Sequence, residues 1–474
     1  MIPDKTDVIL DEHRFFDPNP LVRDIAYSLY QEVKQLPLYC PHGHVEPSLF
    51  SDNLPFKNPS ALFIKPDHYV FRLLYSQGIS LERLGISSTN GLRIEEDDKK
   101  IWKLFAEHFY LFAGTPTGVW FQYELAELFG IRKKLNGSTA EEIWNKIENK
   151  LHSSDFLPRT LFEKFNIAVL STTDAATDCL EHHKKIKESG WKGRVIPTFR
   201  PDGVVKLAGN NWKTNIRLLN ERCGFEITSY QSFIQAIENR RAYFKSMGAV
   251  ATDHDIFVPY TERLSDTNAD WLFQKALNGT ITPIESATFE SHMLMEFARM
   301  SIEDGLTMQI HPGSFRNHNA LLFDKFGADK GADIPVQTEY TVNLRNLLNA
   351  YGNDTRLTLV VFTLDETSYS RELAPLAGHY PAMKLGPSWW FHDSIEGMLR
   401  YRKMVTETAS IYNTVGFNDD TRAFLSIPAR HDLSRRIDAT YLADLVAKKI
   451  IDREDASHMM FELTNGLVKK TYKL

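Results

Sequence analysis

Short apolar, β-rich runs recur along the chain, and each ends in polar or ionisable residues. They occupy 38–44 (LYCPHGH), 167–174 (IAVLSTTD), 194–202 (RVIPTFRPD), 248–255 (GAVATDHD), 306–313 (LTMQIHPG), 357–364 (LTLVVFTL), 382–390 (AMKLGPSWW) and 414–420 (TVGFNDD). Amphipathic stretches with helical spacing lie between most of them, at 178–187, 230–245, 285–303 and 339–350. Strands alternating with helices predict an α/β fold with a parallel sheet. Eight such units predict a TIM-type (β/α)8 barrel more than an open sheet. In that architecture chemistry sits at the C-terminal strand ends, so His42, His44, Asp174, Arg200, His254, His311 and Asp420 form the first candidate set.

The spacing is uneven. About 120 residues separate the first and second strands, far more than one crossover helix needs. Segments 80–84, 99–112, 118–129 and 139–151 read as helices, so 55–160 is expected to be a helical insertion after the first barrel strand. Residues 1–36 read as an N-terminal helical segment, and 37–54 with 161–440 as the barrel. Closing helices begin near 434, with 441–474 as the C-terminal part. The insertion is long enough to cover a site or, in a homo-oligomer, to form an interface.

Composition narrows the classes. A chain of 474 residues exceeds the size at which one compact core usually stops growing. Its 43% apolar and 24% charged residues are ordinary globular usage. A net charge of −6 offers no field for a nucleic-acid partner. An anionic substrate therefore needs a local cluster of arginine or lysine. Cys40, Cys179 and Cys223 are odd in number, widely spaced and without a CxxC pair, which fits a reducing compartment. The N-terminal MIPDKTDVILDEHRFF has no apolar run of signal-peptide length, and no stretch reaches the roughly 20 apolar residues of a membrane span. The expectation is a soluble, cytoplasmic protein with no membrane partner. No P-loop, GxGxxG or HExxH is present, and the sequons at Asn136 and Asn278 carry little weight without a secretory signal.

His42-Gly43-His44 is the sharpest local feature. Alternate residues of a strand face the same way, so both imidazoles can address one cavity, and imidazole suits zinc, iron and related divalent ions. In a closed barrel Asp420 ends the strand beside the first. Two histidines and a carboxylate then make a three-ligand face with open positions, as catalytic metal sites use. The plainer alternative for Asp420, or for Asp419, is a helix N-cap. His254 and His311 end other strands, where each is a metal ligand, a substrate contact or a hydrogen-bonded structural histidine.

Further blocks follow in order. They are Asp67-His68-Tyr69 with Arg72, Ser171-Thr172-Thr173-Asp174, Glu181-His182-His183, Arg200-Pro201-Asp202 and Gln309-Ile310-His311. Arg316-Asn317-His318-Asn319, Ser388-Trp389-Trp390-Phe391 and the run from Asp420 through Thr421, Arg422, Ala423, Phe424 and Leu425 to Ser426 complete the set. Together they resemble the uronate isomerase (glucuronate isomerase) family of the amidohydrolase superfamily, from about residue 37 to 440. Gly43 departs from relatives, which commonly carry Cys there; as the middle residue of HxH it points away from the cavity.

The resemblance implies an aldose–ketose isomerase interconverting D-glucuronate with D-fructuronate, and D-galacturonate with D-tagaturonate. It implies His42, His44 and Asp420 as ligands of a divalent metal, zinc, and His68, Tyr69, Arg200 and Arg422 around the substrate. Such a reaction moves hydrogen from C2 to C1 through an enediol and needs a base, a proton donor and stabilisation of negative charge. Asp420 with Tyr69 assisting is the expected proton-transfer pair. Arg200 and Arg422 suit the substrate carboxylate or the enediolate, because guanidinium is a planar two-pronged donor. His311 is expected to bind substrate. Trp389 and Trp390 either wall the sugar pocket or pack in the core, Tyr69 has the alternative of a buried aromatic, and Arg72 that of a solvated helix charge. A metal-dependent hydrolase, with Asp420 activating water, and a sugar-acid binding protein without turnover are the competing classes.

Overall fold

The computed structural model describes residues 10–474; the first nine, part of the expected N-terminal segment, lie outside it. Among the described residues the strands are β1 (Leu38–Cys40), β2 (Ile167–Ser171), β3 (Asp174–Ala175), β4 (Val195–Ile196), β5 (Phe199–Arg200) and β6 (Ala251–Ile256). They continue as β7 (Thr307–Pro312), β8 (Ser314–Phe315), β9 (Ile334–Pro335), β10 (Leu359–Val361) and β11 (Met383–Leu385). All pairings are parallel except the small β8–β9 ladder, so this is an α/β fold built on parallel sheet.

One sheet runs β1-β2-β4 and a second β3-β5-β6-β7-β10-β11. The two are continuous. Thr172 N–H donates to Ile196 O and Thr198 N–H to Thr172 O, both at 2.9 Å, and Asp174 N–H donates to Thr198 O at 3.0 Å. β2 and β3 are thus one extended run with a local irregularity, as are β4 and β5. The expected strand at 414–420 is not regular: it makes a single bridge, Thr414 to Leu385. Gly416 at φ 79° and Asp420 at φ 36° break extended geometry there. The segment nevertheless reaches the start of the sheet, since His44 N–H donates to Thr421 O at 3.0 Å.

Local chemistry explains the flanking helices. Pro283–Asp304 begins with Thr282 and Glu285 in a capping box and Pro at its first turn, and it ends at Gly305 with φ 77°. Tyr230–Ser246 starts on a reciprocal Ser229–Ser232 cap. The observed helix Ile427–Ala447 starts earlier than the expected one at 434, and most of its circumference is buried. It can carry buried charge because partners are fixed: Arg402 meets Asp438 through two bonds of 2.6 and 3.1 Å. Residues 59–164 are mainly helical and share apolar core with the sheet, joining Trp102, Phe105, Phe121 and Ile147 to Leu38, Leu170 and Val195. The C-terminal helix Leu467–Tyr472 closes the other end of the strands, where Val468 and Tyr472 pack on Ala251, Val360 and Val415. Tyr472 OH also donates to Gln309 Oε1 at 2.8 Å.

Candidate active site

The strand ends and the 59–84 helices enclose a cavity of about 340 Å³, lined among others by His44, His68, Tyr69, Arg200, Trp389, Asp420 and Arg422. These expected residues, distant in sequence, meet around one space. His42 and His311 lie just beneath it, 1% and 4% exposed, with their rings stacked at 4.7 Å.

Asp420 is the hub. Its Oδ1 is 3.5 Å from His42 Nε2 and 3.2 Å from His44 Nε2, and its Oδ2 accepts from Trp389 Nε1 at 2.6 Å. The left-handed backbone at Asp420 is the kind of strain that functional positions store. Burial opposes its charge, but His42, then His44 and His311, outweigh burial and hold the carboxyl far below the usual range. Burial lowers His42 to about 4 against the pull of Asp420. His42 Nδ1, His311 Nε2 and Asp420 Oδ1 are buried without a hydrogen-bond partner. His42, His311 and Asp420 also offer ligand atoms that all lie within 4.8 Å of one another. Unsatisfied imidazole and carboxylate atoms converging in a buried site are costly unless something binds them, so this donor set fits a divalent ion. His44, 28% exposed at its side chain, approaches the same carboxylate oxygen from the cavity side.

His311 Nδ1 lies 2.7 Å from Asp253 Oδ1. Burial would raise the Asp253 carboxyl, but Arg200 and then His311 outweigh it and hold it well below the usual range. Arg200 in turn meets three carboxylates: Asp202 at 2.5 Å, Asp253 at 3.1 Å and Asp255 at 3.7 Å. Arg316 bridges Asp255 at 2.8 Å and Asp333 at 3.0 Å. Arg422 pairs with Asp329 at 3.0 Å at the mouth, with both side chains well exposed. Asp67 caps the helix His68–Tyr75 by accepting from Tyr69 N–H, and so presents His68 and Tyr69 to the cavity. Burial, then Arg422, lowers His68 to about 3, which keeps it neutral. Burial raises Tyr69, which keeps its proton.

Two candidates do not reach the cavity. His254 bonds Thr252 Oγ1 at 2.9 Å and packs its ring 4.6 Å from Phe297 on the helix side of β6. Asp174 accepts from Thr172 Oγ1 at 2.6 Å, and burial raises it to about 7. Of the readings open for His254 this placement fits the hydrogen-bonded structural one, and Asp253 and Asp255, on either side of it, meet Arg200 on the inner face of β6. The alternation in ATDHDI offered both faces, and only packing chooses. Arg316 belongs to the 316–319 block, and only its contacts with Asp255 and Asp333 give it a place in the site. Asp329 and Asp333 come from 327–333 (GADKGAD), where no periodic signal marks them.

Comparison with known proteins adds the following. A family model described as glucuronate isomerase (UxaC) matches residues 14–469. A uronate isomerase of Nostoc punctiforme is 51% identical over 467 residues, covering 98% of each chain. The crystal structure of glucuronate isomerase from Caulobacter crescentus superposes with a TM-score of 0.97 at 48% identity, over 98% of this chain and 97% of that one. That of uronate isomerase from Thermotoga maritima gives 0.91 at 28% identity, over 98% and 100%.

Proposed function

The chain belongs to the glucuronate isomerase family and is an enzyme that isomerises uronates, interconverting D-glucuronate and D-fructuronate; from that premise we propose how its cavity divides the work. The observation that carries the proposal is the convergence of His42, His44, His311 and Trp389 on Asp420 beneath a cavity rimmed by arginines.

His42, His44 and Asp420 would hold a divalent ion, zinc, and the unpartnered His311 Nε2 would serve as a further donor to it. When bound, that ion supplies positive charge for the oxygens of the developing enediolate. Asp420, ionised at neutral pH, accepts the C2 proton and delivers it to C1. Tyr69 keeps its hydroxyl proton and donates to a substrate oxygen. Neutral His68 offers a hydrogen bond without adding charge. Arg422 and Arg200 receive the C6 carboxylate: Arg422 by exchanging Asp329 for substrate, Arg200 from a position already fixed by three carboxylates. Trp389 walls the sugar and orients Asp420. D-galacturonate, its C4 epimer, enters the same site and gives D-tagaturonate.

The eight-stranded barrel is supported by the run of parallel pairings and by the contacts of 414–421 with both Leu385 and His44. We assign 37–54 and 161–440 to that barrel and 55–160 to its helical insertion. Three unpaired cysteines support a cytoplasmic setting.

Purified protein incubated with D-glucuronate in D2O and followed by proton NMR is expected to yield fructuronate of unchanged heavy-atom composition, and deuterium at C1 measures how far the proton carried by Asp420 exchanges with solvent during transfer. The Asp420→Asn variant is expected to yield none. Absence of ketose from folded, zinc-loaded wild type with both uronates would refute the proposal.

A further inference from the structure

Behind the Asp420 hub lies a second donor cluster for which isomerisation has no use. Cys40 precedes His42 by two residues, Asp419 adjoins Asp420, and His431 projects from the helix Ile427–Ala447. Their thiol, carboxylate and imidazole offer ligand atoms all within 4.8 Å of one another. The three residues are 1%, 1% and 6% exposed.

Cys40 Sγ is 3.8 Å from His431 Nε2, and that nitrogen is 3.3 Å from Asp419 Oδ2. An N–H···O hydrogen bond prefers about 2.9–3.0 Å, so the second contact is stretched for one. Ligands around a tetrahedral ion, with metal–sulfur near ~2.3 Å and metal–nitrogen or oxygen near ~2.1 Å, stand ~3.6 Å apart for S and N and ~3.4 Å apart for N and O. The observed 3.8 and 3.3 Å lie within about 0.2 Å of those separations.

We propose that Cys40, Asp419 and His431 bind a second divalent ion of the zinc class, separate from the one at Asp420. Thiolate and imidazole select zinc-like ions over magnesium or calcium, which want oxygen donors. On binding, a metal–sulfur bond forms and the thiol proton passes to solvent. Thiolate and carboxylate then balance the two charges of the ion. The fourth position takes a water. The ion ties β1, the segment leading to Asp420 and the helix Ile427–Ala447 at one point. It thereby anchors His42 and Asp420 from behind.

Cobalt(II) is the probe. The full-length protein, freed of metal with a chelator, is titrated with cobalt(II) and followed by absorbance. Wild type is expected to develop a near-ultraviolet thiolate-to-cobalt charge-transfer band, which histidine and carboxylate ligands do not produce. The band is expected to persist in a Cys179→Ser/Cys223→Ser variant and to vanish in Cys40→Ser. Folded wild type that binds cobalt without this band would overturn the proposal, leaving a hydrogen-bonded trio. So would a band lost from the Cys179/Cys223 variant. The wild-type arm needs no mutant to fold, and neither result depends on isomerase activity.

Discussion

The indole N–H of Trp389 donates to Oδ2 of Asp420 at 2.6 Å, while the other carboxylate oxygen faces His42 and His44. One neutral donor thus orients the carboxylate on which the site converges. A hydrogen bond to a charged group contributes about 1.5–3 kcal/mol. Trp389→Phe removes that donor and part of the indole from a ring packed on His311 at 4.8 Å. The expected result is a fall in kcat/KM of roughly 10–100-fold together with a lowered Tm. An unchanged kcat/KM would show that the bond does not orient Asp420 for catalysis.

Asp253 fixes His311 from the other side. His311 Nδ1 lies 2.7 Å from Asp253 Oδ1, and the ring stacks on His42 at 4.7 Å. Partners of this kind typically change metal affinity by about 10–100-fold when altered. Asp253→Asn is expected to weaken zinc binding by that order in a chelator competition, with loss of activity that excess zinc partly restores. Equal zinc affinity in the variant would remove Asp253 from this role.

Arg200 and Arg422 face the same cavity but differ in what depends on them. Replacing Arg200 by Met leaves Asp202, Asp253 and Asp255 without their shared cation. Breaking a buried pair from one side costs about 3–5 kcal/mol, so Arg200→Met should lower Tm measurably. Arg422 pairs only with exposed Asp329, and exposed pairs contribute about 0–1 kcal/mol. Arg422→Met should therefore keep its Tm and raise KM for glucuronate by roughly tenfold or more. Thermal melts beside Michaelis curves separate the two; equal Tm losses would contradict this division.

Glu124 is buried, and burial together with Asp67 raises its carboxyl from 4.5 to about 8 despite Arg430. Between those values the folded protein holds a proton that the unfolded chain has released, so stability falls as pH rises through this window. Glu124→Gln removes the effect. It should raise the unfolding free energy over wild type by an amount that grows from pH 5 to pH 8, approaching a few kcal/mol, read from denaturant melts at each pH. A difference independent of pH would show that Glu124 does not titrate in this window.

Much of the architecture was legible because it is periodic. Alternating apolar runs marked the strands, and their polar ends marked the catalytic side. His42 and His44 were readable because their relation is local. The last run was harder: 414–420 looks extended by composition, yet left-handed backbone at Gly416 and Asp420 turns it out of the ladder. The start of the helix Ile427–Ala447 was hidden because its buried arginines and aspartates look like a solvated face until their partners are known.

The sequence by itself determined which segments alternate, where chemistry-bearing residues end them, and that a pair of histidines stands beside the first strand. Only the tertiary structure decided which face of β6 turns inward. A two-residue period makes His254 and its aspartate neighbours equally regular, and a shift of one residue exchanges the faces. Phe297 on the covering helix draws His254 outward, so Asp253 goes to His311 and Arg200. Tertiary structure likewise decided that Cys40, Asp419 and His431 share one buried point. Nothing local links residues so far apart in sequence; only the return of the chain to its first strand brings them together.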